Sequence, residues 1–192
     1  MSVKVNVKSN SLIGIINKTK ASQLFWILSF SILTFLSAQV TVPAQPVPFT
    51  LQTMIVLLSG AFLGARNGMI SQLFYLVGGS IGLPIFAEYS FGIGRLLGPT
   101  GGYLIAFPIA AFIVGYLIEK KSVTWMMLLS MVIGTLIILL SGSLYLSIFL
   151  NGDLNKALFS GAIIFSVWDI IKIGAAFSIY KVLSKKYPKL PI

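Results

Sequence analysis

The sequence predicts an all-α integral membrane protein, a bundle of six transmembrane helices with both termini cytoplasmic, forming one membrane domain over residues 1–192. Three observations predict it. Of 192 residues, 57% are apolar and 9% charged, whereas a soluble domain carries about 25% charged residues. The apolar residues gather into runs near the ~20 needed to cross a bilayer as helix. The basic residues collect at alternate ends of those runs, as the positive-inside bias requires.

The first run, approximately residues 21–40, is too long for a cleavable leader and is followed by further spans. Ser29, Ser31, Ser37 and Ala38 give it small surfaces for close helix approach. The segment VPAQPVPFT follows, and Pro43, Pro46 and Pro48 fix φ and remove backbone donors, which predicts a stiff, non-helical wall or lid. The second and third runs, approximately 49–65 and 67–84, are divided by the polar step Arg66–Asn67. Gln52, Thr53, Gln72 and Tyr75 within them read first as interhelical hydrogen-bonding groups, worth roughly 0.6 kcal/mol each in lipid. Between Ile85 and Gly102 lies a long loop with Gly92, Gly94, Gly98, Gly101 and Gly102, composed either to fold back over the bundle or to serve as a plain connector. The fourth, fifth and sixth runs cover approximately 102–118, 123–149 and 157–180, the fifth long enough to tilt.

The formal charge of +10 does not point to nucleic acid, because the basic residues flank the apolar runs. With a cytoplasmic N-terminus, the inner segments hold Lys4, Lys8, Lys18, Lys20, Arg66, Lys120, Lys121, Lys181, Lys185, Lys186 and Lys189. The outer loops hold only Arg95 and Lys156, an asymmetry of eleven to two that sets the orientation. The absence of Cys and His removes disulfides, thiolate metal sites, the Ser-His-Asp triad and the commonest general base.

Asp169 and Lys172 stand in the middle of the last run, in FSVWDIIKIGAA. A charge at that depth costs at least ~2.5 kcal/mol on insertion, so such residues face a bundle interior and mark a ligand or ion path. Their i, i+3 spacing puts them on one helical face, which Phe165, Trp168 and Ala176 share. Two readings stay open: an ion pair that locks helices, or an acceptor and a cation beside an indole that bind a small carboxylate-bearing ligand. Arg95 likewise reads either as a carboxylate clamp or as a loop charge paired with Glu88. Its surroundings, GIGRLLG, fail as a dinucleotide motif, since the third glycine falls one position late, and no phosphate loop follows. Energy for any pumping therefore has to come from another subunit or an ion gradient.

Four strings carry a family resemblance: VPAQPVPFTLQTMIVLLSGAFLGARNG, QLFYLVGGSIGLPIFA, GPTGGYLIAFPIAAFIVGY and WDIIKIGAA. From about residue 40 onward the chain resembles the BioY family, the biotin-binding S components of energy-coupling-factor (ECF) vitamin transporters. The resemblance implies a six-helix bundle in the cytoplasmic membrane with a biotin site open to the outside under the first two outer loops. It places the family's Asp and Lys on Asp169 and Lys172, and adds Arg95, Ser80, Tyr75, Phe86 and Tyr103 to the pocket. With Trp168 from the face argument, these form the expected ligand set. No covalent chemistry and no cofactor are expected, biotin being the transported ligand. The implied partners are a transmembrane coupling subunit, two ATPase subunits and the lipid bilayer, but no nucleic acid. The family's small-x-x-x-small docking pattern is only approximated here, by Thr34 and Ala38. The alternative is a stand-alone ion-coupled carrier for a small carboxylate-bearing vitamin, with Asp169 as its proton site; no internal repeat supports it.

Overall fold

The computed structural model describes residues 7–44, 46–187 and 189–190. Lys4 of the flanking basic cluster and Gln45 of the proline-rich loop lie outside the described residues. Helix α1, Val7–Ala38, contains the apolar stretch Ser22–Ala38. Ile27, Phe30, Thr34 and Ala38 recur at helical spacing and are buried, while Phe25, Ile32 and Leu36 on the opposite side are exposed. The buried stripe packs on the next helix. The proline-rich segment is non-helical, bounded by two short antiparallel strands, β1 (Thr41–Val42) and β2 (Phe49–Thr50), with Thr41 opposite Thr50 and Val42 opposite Phe49.

Helix α2, Gln52–Ser80, is broken at Gly64, where φ is 77° and ψ is 178°. That backbone region is essentially restricted to glycine. The break folds α2 into a hairpin. Gln52 Nε2 donates to Tyr75 Oη at 2.7 Å, although 23 residues of straight helix would hold these groups ~35 Å apart. Gln72 Nε2 donates to Ser59 Oγ at 3.1 Å, and Gly68 lies so close to Gly60 that a Cβ on it would stand 2.8 Å from the Gly60 Cα. The division expected at Arg66–Asn67 thus falls at Gly64 and is a matter of backbone conformation rather than polarity. The second arm ends at Ser80, short of the expected residue 84.

The loop after α2 is not a plain connector. It forms a turn at Ala87–Tyr89 and helix α3, Ile93–Leu97, and is tied back by Gly92 N–H donating to the Gly79 carbonyl at 2.7 Å. Helix α4, Gly101–Lys120, packs against the α2 hairpin. A Cβ on Gly60 would stand 2.3 Å from the Ala111 carbonyl oxygen, and one on Gly115 2.3 Å from the Ala65 nitrogen. Helix α5, Thr124–Ser147, continues as a 3-10 turn to Leu150. The last run, expected as one helix, is bent by 41°: α6 (Leu154–Leu158) and a π turn (Phe159–Ile163) lead into α7, Ser166–Leu183. The π turn supplies the kink without a proline.

By length and apolarity, α2 taken whole, α4 and Thr124–Leu150 qualify among the described residues as membrane spans, and the bent pair makes a fourth. The chain is a mostly helical membrane protein. Its core has two parts. One, at the Gly64 end, gathers Leu57, Phe62, Val114, Met131 and Tyr180. The other, at the opposite end, gathers Tyr75, Phe86, Tyr103, Phe107, Ile138 and Phe165 and surrounds a cavity.

Candidate ligand-binding site

The cavity, open at its mouth, lies between β2 and the start of α2, the loop around α3, and the inner faces of α4, α5 and α7. Its charged wall comes from the first turns of α7. At 100° per residue, Phe165, Asp169, Lys172 and Ala176 fall in one narrow stripe, and all four are buried. Asp169 is 3% and Lys172 7% exposed, and Lys172 Nζ lies 2.6 Å from Asp169 Oδ1. Lys172 Nζ also donates to the Thr50 carbonyl at 3.2 Å, which joins α7 to the strand that closes the proline-rich segment. Its positive charge is therefore already engaged.

Asp169 Oδ2 is buried with no hydrogen-bond partner among the described residues, and so are the hydroxyls of Thr53 and Thr100, which line the same cavity. A buried polar atom without a partner costs about 1–3 kcal/mol. Three of them facing one cavity therefore favour a ligand that carries its own donors and acceptors. Arg95, on α3, also lines the cavity, and its guanidinium has no ion pair or hydrogen bond among the described residues; Glu88 does not pair with it. Together with Pro48 and Thr100, Arg95 is shared with an outer basin of about 1,210 Å³ that Pro43, Pro46, Glu88 and Phe91 help to line. It stands at the neck between the two.

The remaining wall is apolar. Phe86, Phe107, Ile138, Leu139 and Phe165 face the cavity, and the Phe49 and Phe165 rings meet at 4.3 Å between centroids, 43° apart. Phe86 fits because Gly79 has no side chain; a Cβ there would come within 2.2 Å of the ring. Tyr103 presents its ring to the cavity while its hydroxyl donates to the Gly161 carbonyl at 2.8 Å.

Of the expected ligand set, Asp169, Lys172, Arg95, Phe86 and Tyr103 line the cavity, and Tyr75, Ser80 and Trp168 do not. Tyr75 stands one layer behind. Its ring packs edge-on against Phe86 at 5.5 Å, and its hydroxyl accepts from Gln52 and donates to the Ile85 carbonyl at 3.2 Å. Ser80 turns its hydroxyl back onto the Leu76 carbonyl at 2.7 Å, as serines in helices do when nothing else is in reach. Trp168 is 54% exposed on the outer side of α7. One residue before Asp169 is a 100° rotation, beyond the edge of the buried stripe. Thr53 and Thr100 were not in the expected set, though TLQT and GPTGGYL contain them; a threonine hydroxyl in an apolar run gives no signal of which side it faces. No group of three His, Cys, Asp or Glu side chains suited to a metal ion occurs among the described residues.

A family model described as the BioY family matches residues 8–189. The chain is 42% identical over 157 residues to the probable biotin transporter BioY of Pyrococcus horikoshii, covering 82% of this chain and 93% of that protein. It is 40% identical to the biotin transporter BioY of Thermotoga maritima, over 77% of this chain and 86% of that one. Among solved structures it is similar to the S-component for biotin from an ECF-type ABC transporter, with a TM-score of 0.83 and 28% identity over 88% of this chain and 94% of that one.

Proposed function

This chain belongs to the BioY family, and from that premise we propose that it is the biotin-binding S component of an ECF transporter in the cytoplasmic membrane. The observation that carries the reading is the cavity itself, apolar over most of its wall and lined also by Asp169, Thr53 and Thr100, whose Oδ2 and hydroxyls have no partner among the described residues. Biotin has matching chemistry. Its thiophane ring and valeryl chain suit the Phe86, Phe107, Ile138 and Phe165 surface, and its ureido N–H groups suit a buried carboxylate. Because Lys172 is held by Asp169 and Thr50, the ligand carboxylate goes to Arg95 at the neck. The chain does no covalent chemistry and supplies no energy, so concentrative uptake requires a transmembrane coupling subunit and two ATPase subunits. Uphill uptake by the purified chain alone, driven by a proton gradient, would favour the carrier instead.

The proposed bundle has six passes: α1, the two arms of α2, α4, α5 and the bent pair α6–α7. Its support is the antiparallel fold of the α2 arms about Gly64 and the eleven-to-two basic asymmetry, which puts both termini inside. Single cysteines replacing Ser90 and Ser122 check it, since the chain has none of its own. An impermeant reagent on intact cells is expected to label Ser90→Cys and spare Ser122→Cys; the reverse pattern overturns the orientation.

Calorimetric titration of the detergent-purified chain tests the ligand. Biotin is expected to bind saturably at one site, and lipoate, which shares the sulfur ring and carboxylate tail but lacks the ureido group, to give no heat. Lipoate binding as well as biotin removes the ureido reading, and no heat with biotin removes the function.

A further inference from the structure

At the Gly64 end, far from the cavity, α1, α2 on both sides of its break and α4 border a groove open to the surface. Its floor is apolar, formed by Ile27, Leu63 and Ile70. Its upper rim is cationic. Arg66 is exposed and its guanidinium has no ion pair or hydrogen bond among the described residues, while the carboxylate of Glu119 is already neutralised by Lys189. On the α4 wall the Phe112 and Tyr116 rings stack 6° from parallel at 6.2 Å, and Lys120 Nζ stands 5.9 Å above the Tyr116 ring.

This wall continues a pattern along α4. Ile105, Ile109, Phe112 and Tyr116 are exposed at helical spacing and form an apolar track that leads into the groove and ends at Lys120. From Ile105 to Tyr116 the track is ~16 Å long, a length that suits an acyl chain. A soluble anion would use the cations and leave the track bare. Aromatic rings that separate a cationic rim from an apolar track mark the level of lipid headgroups, and basic pockets between transmembrane helices hold anionic ones.

We infer that this groove binds an anionic glycerophospholipid, its phosphate on Arg66 with Lys120 as the second cation and one acyl chain along the α4 track. The site is separate from the biotin cavity and does not depend on it.

Native mass spectrometry of the full chain, released from micelles holding equal amounts of phosphatidylglycerol and phosphatidylcholine, tests this. The unaltered protein is expected to retain phosphatidylglycerol preferentially. Arg66→Gln should lower that retention about fivefold, the worth of one cation at a membrane surface, and Arg66→Lys should keep most of it. Lys156→Gln removes an equal charge from an exposed position at the other end and should change nothing. Elution as a single species with the thermal stability of the unaltered protein serves as the check of folding; if Arg66→Gln fails it, Lys120→Gln takes its place with the same expected direction. Equal retention of the two lipids, undiminished retention in the groove variants, or an equal loss in Lys156→Gln overturns the proposal. Retained lipid together with lost co-purification of the coupling subunit also overturns it and makes the groove a protein interface.

Discussion

Asp169→Asn and Lys172→Met are each expected to weaken biotin binding about a hundredfold while the protein still elutes as a single species. The two groups lie 2.6 Å apart, 3% and 7% exposed. Removing one member of such a pair leaves the other charge uncompensated, typically at 3–5 kcal/mol. With asparagine at 169, the Lys172 ammonium keeps only the Thr50 carbonyl; with methionine at 172, the carboxylate has no counter-charge. At 1.4 kcal/mol per decade, even ~3 kcal/mol amounts to about a hundredfold if the distortion reaches the ligand. The double variant separates ligand contact from helix locking. Without either charge there is nothing left uncompensated, so thermal stability should return toward that of the unaltered protein. Biotin affinity should not return, because the acceptor for the ureido group is gone. Recovery of both in the double variant reduces the pair to a clamp between α7 and β2.

This pair was legible in the sequence because burying a charge in an apolar run is expensive, and that cost acts whatever the rest of the fold does. Arg95 left two readings open in the sequence, between which the family resemblance favours the pocket, and the structure adds the reason it stands apart, as a cavity-lining cation with no partner among the described residues. Other features depended on information the residue pattern lacks. Arg66–Asn67 looked like the division between two spans because polarity marks membrane edges, yet the chain reverses at Gly64, where φ is 77°. In the run SGAFLGARNG, three glycines at positions 60, 64 and 68 have different tasks. Gly60 lets α4 approach, Gly68 lets the two arms touch, and only Gly64 turns the backbone. Hydropathy cannot tell them apart. The π turn at Phe159–Ile163 was equally hidden, since its sequence, FSGAI, has no proline to announce a bend. Trp168 stays outside the cavity for a simpler reason: the buried stripe of α7 is narrower than the helical face that the i, i+3 spacing suggests.

Arg95→Met is expected to lower biotin affinity by about ten- to hundredfold and to leave the affinity for biotin amidated at its carboxylate nearly unchanged. Hydrogen bonds to charged groups contribute about 1.5–3 kcal/mol net, and the lower part of that range suits a guanidinium that is only half-buried at the neck of the cavity. The comparison of the two ligands removes effects that reach the cavity through altered loop packing, because those fall on both. It also separates the two cations. Lys172 is committed to Asp169 and to the Thr50 carbonyl, so Lys172→Met should weaken biotin and its amide alike, as a distortion of the wall does. Arg95 has no such commitment among the described residues and stands where the cavity meets the outer basin, so its loss should fall on the carboxylate alone. If instead the amide discriminates at Lys172 and not at Arg95, the ligand lies the other way round. Its acid end then sits deep against α7, and the ureido group faces the neck.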